Sequence, residues 1–116
     1  MPSNVNVLRT HRFVIAELGN ISEETLLLAQ SVKWDKIRKI MQTKFYLKET
    51  AKIELDELEN KKSHAIIDII DGYGSVIVSY IFEGLRPQRM ALALDYTKSD
   101  ILLYEIDFTF SKIKQI

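Results

Sequence analysis

Residues that could carry out chemistry are few and scattered in this 116-residue chain. The two histidines, His11 and His64, could share acid–base work only if the fold brought them together, and we interpret them as unrelated strand residues. The chain contains no cysteine, so it offers no thiol nucleophile, no thiolate metal ligand and no disulfide. These residues predict neither an active site nor a redox centre.

Two short motifs superficially suggest a binding site for metal or phosphate. The acidic run 54–59, followed by Lys61 and Lys62, contains a Glu-x-Lys, but in an expected turn rather than on a central strand. We therefore interpret it as a charged, solvated edge. The glycine-rich segment 71–74 lacks the spacing and the following helix of a phosphate-binding loop. No catalytic residue, metal site or cofactor is predicted.

The uneven distribution of charge is the clearest chemical signal. The total charge is zero, but residues 1–52 carry nine basic and five acidic side chains, for +4, and residues 53–116 carry seven and eleven, for −4. Part of the basic excess would lie on an exposed helix face, and two arginines of the second half would lie in a later loop. The sequence therefore predicts a partner-binding surface for an acidic protein or for phosphates, formed by Lys36, Arg38, Lys39, Arg86 and Arg89.

Length and composition bound the class of protein. Apolar residues make up 47% of the chain and charged residues 28%, which is ordinary for one globular domain of this length. The N-terminus lacks the apolar core of a signal peptide, and no apolar run approaches the roughly 18 residues that cross a bilayer. We expect a single soluble, cytoplasmic domain over residues 1–116, with no membrane partner.

The first half of the chain is predicted to form a strand and then a helix. β-branched and aromatic residues favour a strand over 5–18, which Gly19 and Asn20 end. Ser22 is suited to cap the helix that follows. Helical spacing then predicts one helix, or two broken near Ser31, packed against a sheet through an apolar face formed by Trp34, Ile37, Ile40, Met41 and Phe45.

Residues 47–62 fit two structures. Ile53 and Leu55 alternate with polar residues as in an edge strand, whereas the richness in Glu, Lys and Leu favours a helix. We prefer the strand.

The second half is predicted to be an antiparallel meander. Asp71 and Gly72 between two β-branched runs are typical of a two-residue type I′ loop, and Gly74 allows a four-residue loop instead. Pro87 predicts a loop over 84–89, because it cannot donate to a strand ladder. Further strands are expected over 90–96 and 101–110, joined by a turn at 98–100.

These elements predict an α+β fold: an N-terminal strand, one or two helices, and a β-meander of four to five strands with the helix packed on one face. Strands over 63–82 carry apolar side chains on both faces, so we expect another protein or a second copy, as a homodimer, to cover the second face. The function ranked first is a non-enzymatic protein-binding module: a small inhibitor, immunity-type or adaptor protein. A nucleic-acid-binding or regulatory protein using the basic helix 33–48 is second, and a small enzyme or ligand-binding domain is third.

Overall fold

The computed structural model describes residues 12–94 and 102–116, which form mainly antiparallel strands. The strands are β1 (Arg12–Leu18), β2 (Ala29–Asp35), β3 (Ile40–Tyr46), β4 (Ser63–Ile70), β5 (Val76–Leu94), β6 (Leu102–Thr109) and β7 (Lys112–Gln115). Two short helices accompany them, α1 (Glu23–Leu26) and α2 (Glu49–Asp56). None of the helices in these two ranges is long and apolar enough to cross a membrane. The predicted antiparallel sheet is confirmed, but helices contribute less than the predicted α+β fold requires.

The strands form two sheets that share β5. Sheet A has the spatial order β1-β4-β5-β7 and uses the first half of β5. Sheet B has the order β2-β3-β6-β5 and uses the second half. All pairs are antiparallel, and β4, β5 and β6 follow one another as neighbours, as in a meander. One strand of 19 residues therefore links the two sheets.

The predicted loop over 84–89 is wrong, because these residues continue β5 from one sheet into the other. The strand pairs with β7 as far as Glu83 and with β6 from Arg86 onward. Pro87 is tolerated because, among the described residues, this half of β5 has a neighbouring strand on one side only. Proline has no N–H to donate, and on the side without a neighbouring strand there is no hydrogen bond to lose.

Gly84 lies where β5 passes from sheet A to sheet B, next to Leu85, the last residue that pairs with β4. Its φ of +67° is unfavourable for any residue with a side chain, and a Cβ there would lie 2.2 Å from the Ser111 hydroxyl. Ser111 approaches this closely because its N–H and its hydroxyl both donate to the Glu83 carbonyl, each over 2.9 Å. The crossing between sheets therefore requires glycine.

The core lies between the inner faces of the two sheets. Trp34 of β2 packs edge-to-face against Tyr80 and Phe82 of β5, with ring centroids 5.4 and 5.2 Å apart, and so joins sheet B to sheet A. The ring of Phe82 also packs edge-to-face against that of Phe110, with centroids 5.1 Å apart. The buried cluster around them is formed by Ile15, Leu18, Leu26, Met41, Phe45, Leu55, Leu58, Ala65, Ile67, Leu85, Tyr104, Ile106 and Phe108.

The predicted long amphipathic helix is wrong: only its first turn is helical, and residues 33–48 lie mainly in the β2–β3 hairpin. Ser22 caps α1 as predicted, accepting a hydrogen bond from the Thr25 N–H over 3.4 Å. Beyond α1 the buried positions have a period of two, with Met41, Thr43 and Phe45 all inward. Ile37, assigned to the apolar helix face, is 93% exposed in the turn. Thr43 conceals the alternation because it is polar, yet it is buried and donates to the Ile106 carbonyl.

The strand preferred over 47–62 is also wrong, since α2 occupies Glu49–Asp56. Ala51, Leu55 and Leu58 are buried at spacings of four and three residues, whereas Ile53 is exposed. The choice is decided by tertiary contacts: Leu55 and Leu58 join the core, and Leu58 also lies beside Gly19.

The hairpin between β4 and β5 is confirmed, but its loop contains five residues, 71–75. Ile70 pairs with Val76, rather than with Tyr73 as predicted. Gly74 has the positive φ, +84°, and its N–H donates to the Asp71 carbonyl over 3.2 Å. The two-residue type I′ loop is therefore wrong.

This loop leads to a prediction. Gly74→Ala should lower the free energy of unfolding by about 1–2 kcal/mol, because a side chain there opposes the left-handed backbone. Gly72→Ala should cost less, since Gly72 has no positive φ. Urea titration of both variants measures the difference, and equal losses would contradict the loop geometry.

The remaining predicted strands are confirmed where the structure describes them. β1 covers residues 12–18 of the predicted 5–18, and β6 follows the predicted alternation, with Tyr104, Ile106 and Phe108 buried. Met90–Leu94, the described part of the strand expected over 90–96, is the end of β5. Residues 5–11 and the predicted turn at 98–100 lie outside the described residues. β7 was not predicted.

Candidate interaction surfaces

The five cations predicted to bind a partner lie at sheet B, and none is on a helix. Lys36, Arg38 and Lys39 occupy the exposed β2–β3 turn, and Arg86 and Arg89 lie on β5. The register brings the turn and Arg86 to one end of the sheet, because Thr109 of β6 pairs with Ile40 on one side and with Arg86 on the other. Arg89 lies two β6 residues further along, beside Asp107. Whether these cations bind a partner stays a prediction.

The β2–β3 turn has an ordered backbone. Asp35 Oδ1 accepts hydrogen bonds from the N–H groups of Ile37 and Arg38, over 2.9 and 3.0 Å. Lys39 has a positive φ of 57°, and its carbonyl accepts from the Phe110 N–H. The turn therefore presents its three cations on a fixed loop at the end of sheet B.

The outer face of sheet B is charged but balanced. Lys44 lies 3.7 Å from Glu105, and Arg89 lies 3.8 Å from both Glu105 and Asp107. Pairs this exposed contribute little stability because water screens them. They do neutralise Arg89, so this face is a hydrated mixture of both signs rather than a basic patch.

A polar cluster at Glu54 joins the two helices. The Glu54 carboxylate accepts from the Ser22 N–H and the Ser22 hydroxyl, each over 2.8 Å, and from the Thr25 hydroxyl. The bond from Thr25, followed by those from Ser22, lowers the pKa of Glu54, because the charged form is the better acceptor. The cluster is structural: a residue of α2 holds the start of α1.

A second cluster fixes the other side of α2. Asp56 accepts from Lys52 Nζ over 2.7 Å and from the Tyr104 hydroxyl. The bond from Lys52, then that from Tyr104, lowers the pKa of Asp56. Burial, and then the bond to Asp56, raise the pKa of Tyr104, so its phenol stays protonated as a donor. The acidic run predicted to be a solvated edge is thus partly used to attach α2 to β6.

The outer face of sheet A combines apolar and polar side chains. Ile66, Ile70 and Ile81 are half-buried there, and the Ser79 hydroxyl donates to Asp68 between them. His64 Nε2 lies 3.1 Å from a carboxylate oxygen of Glu17. The other histidine, His11, lies outside the described residues. Within 12–94 and 102–116, no group of three or more acidic or imidazole side chains could hold a metal ion.

The β4–β5 hairpin exposes large apolar side chains in its loop and in the first residues of β5. We define the hairpin tip as residues 71–77. Tyr73 is 97% exposed, and Val76 and Ile77 are each more than half exposed. The backbone is nevertheless pinned, because Asp71 Oδ1 accepts from the N–H groups of Tyr73 and Ser75, over 2.8 and 3.0 Å, and the Asp71 N–H donates to the Ser75 carbonyl. Sequence reasoning expected apolar side chains on both faces of 63–82, which includes Val76 and Ile77, but it did not single out Tyr73 or the five-residue loop that Asp71 closes.

A cleft of about 300 Å³, lined mainly by apolar side chains, lies beside β1, and we call it the β1 cleft. Four consecutive residues of the strand, 13–16, line it, as expected at an edge that carries no neighbouring strand within the described ranges. Ile21, Leu26 and Leu27 form its other wall, with Leu27 73% exposed and Glu23 at the site as the charged residue. The cleft therefore joins an open strand edge to an apolar wall.

Several strand edges are open in the described part of the chain. β1, β2, β7 and the second half of β5 each pair with one neighbouring strand. Such edges present backbone N–H and C=O groups that another chain can bind.

The fold is similar to solved structures at low sequence identity. A chain in the sheath/tube terminator of an extracellular contractile injection system, PVC, has a TM-score of 0.56 and 12% identity over 90% of this chain and 93% of that chain. A chain of the PVC sheath–tube complex has a TM-score of 0.54 and 12% identity, over 100% of this chain and 97% of that chain. Hcp1 from Salmonella typhimurium has a TM-score of 0.53 and 14% identity, over 90% of this chain and 67% of that chain. No family model and no curated protein matches the sequence. At these identities the similarity establishes a shared fold.

These similarities correct the functional prediction. The similar structures are Hcp1 and chains of contractile injection particles, not inhibitors, immunity-type proteins or adaptors, so the homodimeric protein-binding module is wrong. The second-ranked function loses the basic helix 33–48, which the β2–β3 hairpin replaces. The expectation of protein or self partners agrees in general terms with neighbours that come from multi-subunit assemblies. The cytoplasmic location stays a prediction.

Proposed function

We propose that this chain is a structural subunit of a contractile-injection-type particle, in which copies assemble side by side into a ring. The observation that carries the proposal is the extent of the fold similarity. It covers 90% and 100% of this chain, and 93% and 97% of the two chains from the injection system. Those chains thus consist almost entirely of the fold described here, with little room for a separate active domain.

The surfaces of the chain support a role in assembly. Among residues 12–94 and 102–116, open edges lie at β1 and β7 of sheet A and at β2 and β5 of sheet B. Monomeric proteins usually protect such edges, because an unpaired edge recruits other chains. A ring needs two different surfaces on each subunit, one for each neighbour, and edges at both sides of a sheet meet that requirement.

The proposal predicts self-assembly of the purified protein. At about 100 μM, where even a micromolar contact is populated, light scattering after size exclusion should give three or more copies of the 13.5 kDa chain. Negative-stain microscopy of the same fraction should show closed rings. A mass of one or two copies at every concentration, without rings, would contradict the proposal.

A further inference from the structure

The hairpin tip and the β1 cleft match each other in chemistry and lie at different places on the chain. We propose that the hairpin tip of one copy inserts into the β1 cleft of the next copy, with Tyr73 as the anchor. This inference rests on the proposed function, since it names the contact through which successive copies join.

The hairpin tip has the properties of a binding knob. Tyr73, Val76 and Ile77 expose apolar surface that water disfavours, and tyrosine is enriched at the energetic centres of interfaces. A loop this exposed would ordinarily lose conformational entropy on binding. The bonds from Tyr73 and Ser75 to Asp71 already fix the backbone, so that cost is reduced before contact.

The β1 cleft has the complementary properties. A volume of about 300 Å³ lies within the range of sites that enclose a small ligand, which is enough for an aromatic side chain. Phe13, Ile21 and Leu27 supply apolar contacts for the ring. Tyrosine also brings a hydroxyl, which needs a polar partner, and Glu23 provides a carboxylate acceptor at the cleft. A tyrosine suits this site better than a wholly apolar side chain would.

The register shows that a copy does not fill its own cleft with its tip. Ile70 pairs with Arg12, the first residue of β1, so the loop 71–75 extends beyond the start of that strand. The cleft runs along 13–16, and no residue of β4 or of the hairpin tip is among its lining residues. The contact therefore joins two copies through two different surfaces. Such a contact repeats from copy to copy and closes into a ring when the rotation allows it.

Two substitutions separate the partners of this contact, and a third is their control. Tyr73→Ser removes the knob and Leu27→Glu places a charge in the cleft; both residues are exposed, so the fold should be retained. Each variant should raise the apparent Kd of assembly by roughly 30-fold or more, as for the central residues of interfaces. Ile37→Ser removes an equally exposed apolar residue in the β2–β3 turn and should leave assembly unchanged. Circular dichroism and urea titration confirm that all three remain folded.

Mixing the two variants gives a sharper result. Tyr73→Ser retains an intact cleft and Leu27→Glu an intact tip, so one sound contact can form between them. At a concentration above the wild-type Kd but well below the raised Kd, each variant alone should be monomeric, and we expect a mixture of equal amounts to give one-to-one dimers and nothing larger in light scattering.

Each other outcome overturns the inference. Rings that persist in both variants would place the contact elsewhere while leaving the proposed function standing. Loss of assembly with Leu27→Glu but not with Tyr73→Ser would mean that another segment or another protein fills the cleft. A wild-type protein that stays monomeric would contradict both proposals.

Discussion

Replacing Phe82 with alanine should lower the free energy of unfolding by about 3–5 kcal/mol, a large part of the total for a domain of this size. Phe82 is fully buried on β5 and packs edge-to-face against both Trp34 and Phe110. Its removal leaves a cavity beside Trp34 and Phe110, and it also breaks one of the two ring contacts through which Trp34 of sheet B reaches sheet A. Neighbouring rings on two different sheets cannot easily collapse into that space.

Trp34 fluorescence in a urea titration measures this loss, because its ring touches the altered site. Leu92→Ala is a control on the same strand, since Leu92 is more than half exposed, and it should cost well under 1 kcal/mol. A comparable loss in the two variants would show that the core does not centre on Phe82.

A side chain at Gly84 should be nearly as costly. Gly84→Ala is expected to lower the free energy of unfolding by about 2–4 kcal/mol, because two penalties combine. The positive φ costs roughly 1–2 kcal/mol for a residue with a Cβ, and displacing a crowding neighbour costs a further 1–3 kcal/mol. The neighbour is Ser111, whose Cβ would lie 2.9 Å from the new methyl group.

A double-mutant cycle separates these penalties. Ser111→Gly removes the hydroxyl and the Cβ that crowd Gly84, so in the Gly84→Ala background it should recover the steric part but not the backbone part. Ser111→Gly alone should be destabilising, since it deletes the hydrogen bond to the Glu83 carbonyl. If the losses in free energy of unfolding were strictly additive, the side chains at positions 84 and 111 would not be in steric conflict.

Strict alternation made parts of the fold predictable. From Tyr104 to Phe108, β6 carries large apolar residues at every second position, and these residues are buried in the structure, although Leu102 is exposed and Leu103 buried at the start of the strand. The N-cap at Ser22 was also predictable, because a capping hydroxyl acts over three residues. Each of these signals is local, so the sequence contains all that is needed to interpret it.

The predictions were wrong where the spacing of apolar residues fits both a helix and a strand. Trp34, Met41 and Phe45 match a helix, yet they lie on two strands of a hairpin whose turn falls at 36–39, with Met41 and Phe45 buried and Trp34 partly buried. The hairpin is favoured because β3 pairs with β6, about sixty residues later. β7 was missed for the same reason: it is four residues long and is defined by its partner, β5.

The candidate surfaces were only partly visible in the sequence. The cations at 36–39 could be found from charge alone, and they are exposed. The hairpin tip and the β1 cleft could not be found in this way, because exposure of Tyr73 and Leu27 is a property of the folded chain. A protein that works by binding copies of itself needs no catalytic motif, so its function leaves little trace in residue types.

The passage of β5 through both sheets has a mechanical consequence. A pull on the hairpin tip acts along the axis of β5, where its hydrogen bonds to β7 and β6 lie across the direction of the load. Bonds oriented in this way are sheared together rather than opened one after another. The same covalent strand then carries the tension past Gly84 into sheet B, where β5 pairs with β6. Force applied to one side of the molecule is thereby transmitted to the other without depending on the side-chain contacts between the sheets.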